Sequence, residues 1–547
     1  MTTKFSHVVA TRPRPVRTPA PLVRTPISRA IPGREAEMIP NHAGNPTFEV
    51  TPWVALERFL ILGTEGSTYY GSEGAHTIKM FDNLMTCIGE DARRVVDMIV
   101  DVSHNGRAAK NDQALFALAA VMKLAVKEED RYYARLAVNA VARIGTHILH
   151  LAEFVDQLGG WGTGTRKAFK NWFLERKADQ IAFQAIKYGQ RDGWSMRDLL
   201  RKSHPWGTVE QNATFDVIAN PEVELKLGGK YPMIMWAAQQ VKGDSMTLDA
   251  KIAMIKGYDL PREVLPTEML NDTRVWDALL PGMKPEALMR NLGKLTSIGM
   301  LQPLSDNAKF VQGVLTNVDE IRTARLHPLK VLLALTTYRA GHGVLGKLTW
   351  HPTPSIVDAL EKCFELSFNF LEPSGKNVFI AVDVSASMRW PQHKIAGTHL
   401  LSADAAACMA MVTAKAEENF LITAFTGNLT PVDIRKSDSF STAIEKFRRV
   451  TVGGTNISLP MLYATETKLP IDIFQIYTDN DTTMGKMHPS QALQQYRREM
   501  GRPKAKLAVV ATIASQVSVA DPKDPNMMDF AGFDASAPQA MASFARM

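Results

Sequence analysis

The sequence predicts a mainly α fold joined to an α/β domain: a long helical-repeat array, then a doubly wound, Rossmann-like sheet. Three observations carry this. Apolar residues recur at spacings of three and four from about 48 to 370, with few strand-like runs. From residue 375, continuous apolar runs alternate with helical stretches, the mark of a mainly parallel sheet. The length, 547 residues, asks for two or three domains at roughly 100–200 residues each.

The first segment, residues 1–44, carries seven Lys/Arg and two acids, with prolines at 13, 15, 19, 21 and 26. Those prolines oppose the amphipathic helix of a mitochondrial transit peptide, so the segment reads as an extended, disordered basic tail. The start lacks the apolar core of a secretory signal, and no apolar run reaches the roughly 18 residues of a membrane span. Cys87, Cys363 and Cys408 are far apart and odd in number, which favours a reducing, cytoplasmic compartment over a disulfide framework.

The second segment, 45–374, contains amphipathic stretches such as "QALFALAAVMKLAVKEED", "YYARLAVNAVARIGTHILHLAEFVDQLGG" and "HPLKVLLALTTYRAG". So many short helices suggest a repeat array over a single bundle, although no strict period is visible. The third segment, 375–547, reads as strand "VFIAVDVS", helix 400–419, strand "FLITAFTG", helices near 439–448 and 458–468, strand "IDIFQIYTD", helix near 490–500 and strand "AKLAVVATI".

In such sheets ligands bind at the carboxyl ends of the strands. Asp383, Ser385 and Ser387 end the first strand, Thr455 follows a Gly-Gly turn, and Asp479 ends a later strand. Two carboxylates and three hydroxyls suit a hard divalent cation such as Mg²⁺. The bland alternative has Asp383 and the serines merely capping the next helix. The D-x-S-x-S, T and D set, in this order, resembles the metal-ion-dependent adhesion site (MIDAS) of von Willebrand factor A (vWA) domains.

Net charge is +7, yet 45–374 balances to zero. That zero hides residues 163–205, where ten Lys/Arg face four acids. Arg166, Lys167, Lys170, Lys187, Arg191, Arg197, Arg201 and His204 mix there with Trp172, Tyr188, Trp194 and nearby Trp206, a composition suited to nucleic acid. Ser195, with Asp198 three residues on, reads as the N-cap of a helix on which Arg197, Arg201 and His204 can share one face. A solvated helix face over core aromatics is the competing reading.

Other motifs carry less. Gly341, Gly346 and Lys347 have phosphate-loop spacing, but Leu348 stands where Ser or Thr would bind Mg²⁺, and the segment follows a helix. His147 and His150 lack an evident third metal ligand. No H-E-x-x-H or G-x-S-x-G occurs, and no nucleophile is placed with a base, so no enzymatic activity is expected.

The strings "GRAAKNDQALFALA", "KYGQRDGWSMRDLLRKSHP", "RLHPLKVLLALTTYRAGHGVLGKLTW", "AVDVSASM", "GGTNISLPM" and "YTDNDTTMGKMHPSQALQQYR", in order, resemble the Ro ribonucleoprotein autoantigen (TROVE-domain) family over roughly 48–547, in a bacterial or phage-type form. The resemblance implies a HEAT-like helical ring closed by the vWA domain, working as a monomer. It implies noncatalytic binding of small noncoding Y RNA outside the ring and of misfolded RNA 3′ ends in a basic hole, for RNA quality control. It further implies tethering, through RNA, to the 3′ exoribonuclease polynucleotide phosphorylase. The family's Y RNA contacts carry over to Lys187, Arg191 and His204, with Arg197 and Arg201 in support; Met196 departs from the family's basic or polar residue. The alternative is a metal-dependent protein-binding scaffold that uses the vWA domain.

Overall fold

The computed structural model describes residues 30–41, 43–63, 73–343, 347–368, 372–389 and 400–547. Its first strands, β1 (Met38–Pro40) and β2 (Pro46–Glu49), form an antiparallel hairpin. Among the described residues from Pro52 to Leu366 the elements are helices, apart from a small hairpin, β3 (Gln190–Arg191) with β4 (Trp194–Ser195). The Asp112–Leu124 helix buries residues 113–122 without a break, so it lies inside the array. The Glu73–His104 run is two helices joined at Asp91, where non-helical backbone and an Asp91 carboxylate accepting from Arg94 N–H at 3.0 Å start the second.

The sheet domain contains β5 (Asn377–Asp383), β6 (Asn419–Phe425), β7 (Leu429–Pro431), β8 (Ile473–Thr478), β9 (Lys506–Ala511) and β11 (Met527–Ala531). The spatial order is β11-β9-β8-β5-β6-β7, parallel throughout except for β7 at one edge. The predicted alternation of strands and helices is therefore present. The first strand lies centrally, flanked by β6 and β8, and that reversal of strand order sets the crevice at the carboxyl ends. Missing from the sequence reading were both edge strands. β7 is three residues long, and β11 shows no clean alternation, with only Met527 buried.

Three cores hold the molecule. One runs through residues 56–235, a second joins residues 237–368 of the array to one face of the sheet, and a third covers the sheet's other face. The second crosses the predicted boundary at 374/375, so the array and the sheet domain share apolar packing.

The array also returns to the sheet domain at its beginning. Buried Arg58, on the Pro52–Leu62 helix, donates to Ser515 O at 2.6 Å, Val517 O at 3.0 Å and Asp529 Oδ1 at 2.9 Å. Arg107 bridges Glu57, Asp101 and Asp534 at 2.5–2.8 Å. His327 donates to Arg107 O at 3.0 Å from the far end of the array. The helical region thus starts and finishes on the sheet domain, and the chain closes on itself.

The expectation of an extended tail up to residue 44 is corrected. Residues 30–41 and 43–49 pack on the sheet domain: β2 pairs with β10 (Val517–Ser518), Arg34 forms an ion pair with Asp521, and Lys523 reaches Glu37 at 2.8 Å. A three-residue strand, and a four-residue one whose second partner lies at the opposite end of the chain, leave no local periodicity to read. Residues 1–29 lie outside the described residues.

Candidate functional site

The predicted metal residues converge. Asp383 ends β5 and Asp479 directly follows β8, at the carboxyl ends of adjacent strands. Ser385 N–H donates to Asp383 Oδ1 at 2.9 Å, the Ser385 and Ser387 hydroxyls are 3.0 Å apart, and the Ser387 hydroxyl lies close enough to Asp479 to favour its charged form. Ala386 N–H donates to Gly453 O at 3.2 Å, which draws the Gly-Gly turn and Thr455 into the same place. A Cβ on Gly454 would lie 2.6 Å from the Met484 sulfur.

All five residues are buried. Burial pushes the Asp383 carboxyl up to about 6, and burial with repulsion from Asp481 and Asp383 pushes Asp479 well above the carboxylate range. Buried carboxylates held together against their charge, among hydroxyl oxygens, have the donor chemistry of a hard-cation site. No cluster of three or more His, Cys, Asp or Glu placed for a metal occurs among the described residues, so the hydroxyls would have to share in coordination.

Sequence reading missed two residues here. Thr478 Oγ1 donates to Asp383 Oδ2 at 2.8 Å, and fully buried Asp481 faces both aspartates. The string "YTDND" held the only local signal for either: both flank Asp479.

The cationic segment forms a compact unit. Lys187 ends the Ala178–Lys187 helix, with its ammonium 5.3 Å from the Phe183 ring and 5.6 Å from the Tyr188 ring. The β3–β4 turn uses Asp192 at φ 52° and Gly193 at φ 83°, the left-handed pair of a tight hairpin, and this sets Arg191 opposite Trp194. Trp194 Nε1 donates to Glu153 at 2.9 Å, and His150 pairs with Asp192, which fastens the hairpin to the Gly145–Gln157 helix.

Ser195 caps the Met196–Ser203 helix as predicted, in a reciprocal box with Asp198. Exposed Arg201 and Lys202 end that helix, and exposed His204 closes it in left-handed backbone at φ 45°. Gly193, Trp194, Asp198, Arg201 and Lys202 line a shallow cavity of about 470 Å³. Arg166, Lys167 and Lys170 lie on the neighbouring Thr163–Leu174 helix, the first two exposed. Arg197 is half-buried, 3.8 Å from Glu222.

The aromatic part of the expectation is mostly corrected. Trp172 is fully buried and donates to Ala142 O at 2.6 Å, while Tyr188 and Trp194 are half-buried. Of the four, Trp206 alone is largely exposed, at 78%. Met196 is a core residue, packed where a Cβ on Gly145 would fall 2.8 Å from its methyl. His147 contacts Asn111 Nδ2 at 3.4 Å, and burial lowers its pKa to about 3. Gly341 caps the Pro328–Ala340 helix at φ 72°, as the helix-first reading required, while Gly346 lies outside the described residues.

Residues 39–231 and 219–340 match the TROVE domain family, and residues 377–545 match the Ro60 vWA domain. The chain belongs to the Ro60 family. The RNA-binding protein RO60 of Deinococcus radiodurans is 37% identical over 522 residues, covering 94% of this chain and 96% of that protein. The RNA-binding protein RO60 of Caenorhabditis elegans is 28% identical over 584 residues, covering 92% and 90%. The crystal structure of the Deinococcus radiodurans RO (RSR) protein superposes with a TM-score of 0.69 at 37% identity, over 90% of this chain and 99% of that one. The family's two-domain order, a TROVE array followed by a vWA domain, is the order found here. Among the described residues no helix is long and apolar enough to cross a membrane.

Proposed function

We propose that this protein binds RNA without catalysis, with a small noncoding Y-type RNA on the cationic unit and single-stranded 3′ ends of misfolded RNA as a second ligand. The observation that carries the reading is the fastened hairpin and capped helix that present Arg191, Arg201, Lys202 and His204 to solvent beside Lys187, in a chain whose relatives are named RNA-binding proteins. A rigid base lowers the entropy lost when phosphates dock, and release of counterions supplies affinity. On this reading the protein is a ribonucleoprotein component in RNA quality control, and bound RNA can tether polynucleotide phosphorylase to it. A gel-shift with the Lys187→Ala/Arg191→Ala double variant tests this: Y RNA affinity should fall at least tenfold, on the order expected for two lost phosphate contacts. Undiminished affinity removes these residues from the site.

A second reading concerns the vWA crevice. Asp383, Asp479, Ser385, Ser387 and Thr455 would hold Mg²⁺, which when bound supplies a positive charge that an acidic group on a partner protein can complete. Buried, mutually repelling Asp383 and Asp479 favour it. A pull-down that survives ribonuclease but fails with chelator supports it.

A further inference from the structure

The loop that follows β8, residues 479–485, is gripped from two sides. On one side Thr455 O accepts from Thr483 N–H and Met484 N–H, each at 2.8 Å. On the other, the tip of the N-terminal hairpin reaches in. Asn45 Nδ2 donates to Thr482 O at 2.9 Å, and Asn41 Nδ2 donates to Thr482 O at 3.1 Å and to Asn480 O at 3.4 Å. Both asparagines are at least 95% buried.

The tip is locked before it touches the loop. Asn41 Oδ1 accepts from Ala43 N–H at 3.0 Å and Asn45 N–H at 2.9 Å, and Asn41 N–H donates to Asn45 O at 2.8 Å. Gly44, at φ 81°, closes the turn. Farther off, the Arg34–Asp521 ion pair and Phe48 edge-on to His488 at 5.3 Å anchor the segment.

The loop needs holding. Asn480, which follows Asp479 and supplies one of the carbonyls that Asn41 takes, is in left-handed backbone at φ 67°. Asp479 must also be kept beside Asp383 despite their repulsion. Buried loop carbonyls without a helix or sheet partner would be costly, and the two asparagine amides satisfy them.

We propose that the N-terminal hairpin is a working part of the vWA metal site: Asn41 and Asn45 are positioning residues that set the Asp479 loop for a divalent cation, so that cation binding and hairpin docking are coupled. This rests on the reading of Asp383, Asp479 and the three hydroxyls as a cation site. Coupling of this kind is reciprocal, so the cation must stabilise the docked hairpin as much as the hairpin favours the cation.

The test titrates Mg²⁺ into the full-length protein by calorimetry. Asn41→Ala/Asn45→Ala, which removes three hydrogen bonds to the loop, should bind about tenfold more weakly than wild type, within the net worth of the bonds lost. Asn45→Ala alone, which keeps the turn lock and guards against misfolding of the pair, should lose roughly threefold. Arg34→Ala removes an anchor of the segment without touching the loop and should lose less than the double variant. Mg²⁺ should also slow tryptic cleavage at Arg34 in the wild type. Equal affinity in wild type and double variant overturns the positioning role, as does an Arg34→Ala loss as large as the double variant's. Absence of Mg²⁺ binding by the wild type overturns the cation reading itself and this proposal with it.

Discussion

Arg58 shows how much one side chain can decide. It is 1% exposed, and burial lowers its pKa while raising that of its partner Asp529, so each depends on the other for its charge. Removing one member strands the other, at about 3–5 kcal/mol for a buried pair. Arg58→Ala should therefore lower the melting temperature sharply, and Arg58→Ala/Asp529→Ala should recover part of the loss; calorimetric melting of the two variants checks this. Asp383 is a different case, a buried carboxyl pushed up to about 6 chiefly by burial. Asp383→Ala should abolish Mg²⁺ binding yet leave the metal-free melting temperature unchanged or higher. Unchanged Mg²⁺ binding in a calorimetric titration would remove Asp383 from the site.

At the scale of elements, two helices start on buried neutral histidines. His327 Nδ1 accepts from Leu329 N–H at 3.1 Å, and His488 Nδ1 accepts from Ser490 N–H at 3.2 Å. Burial lowers their pKa values to about 3 and about 4. A folded pKa below the unfolded one means that the unfolded chain binds the extra proton. Stability is then full above the unfolded value near 6.5 and falls as pH drops toward the folded value. From pH 7.5 to 5 the loss should be about 2 kcal/mol per histidine. Melting curves at the two pH values measure it, and His327→Gln, which retains a side-chain acceptor, should flatten the dependence. The β3–β4 hairpin has its own liability: Gly193→Val forces a β-branched residue to φ 83°, and should weaken RNA binding by displacing Arg191.

For the whole molecule, closure depends on contacts between distant segments. Arg107 meets Glu57, Asp101 and Asp534, and its backbone carbonyl accepts from His327. Arg107→Ala should open this junction and speed proteolysis of the connections between the helical and vWA regions, as read by limited digestion. Charge acts at the same scale. The net +7 is modest for 547 residues, so RNA binding should depend on salt through few phosphates. With roughly four neutralised, raising salt from 50 to 200 mM should weaken binding about fiftyfold, as measured by fluorescence anisotropy.

Much was legible locally. Period and run length placed the helices and the inner strands, because each of these elements buries a face of its own sequence. The order Asp383, Ser385, Ser387, Thr455, Asp479 was readable because a doubly wound sheet always brings strand ends to one crevice. The cations of 163–205 were readable as a charge excess, and Ser195 as a cap, since both are properties of neighbouring residues. What needed the tertiary structure was every partnership across sequence distance: Arg58 with Asp529, β2 with β10, Asp481 facing Asp383, Asn41 and Asn45 on the Asp479 loop. Burial, too, was decided there, which is why Trp172 is core while Trp206 is exposed. The sequence by itself determined which elements form and which chemistry they carry. Only the folded chain decided which side chains lose water together, because desolvation depends on all neighbours in space and periodicity reports only those along the chain.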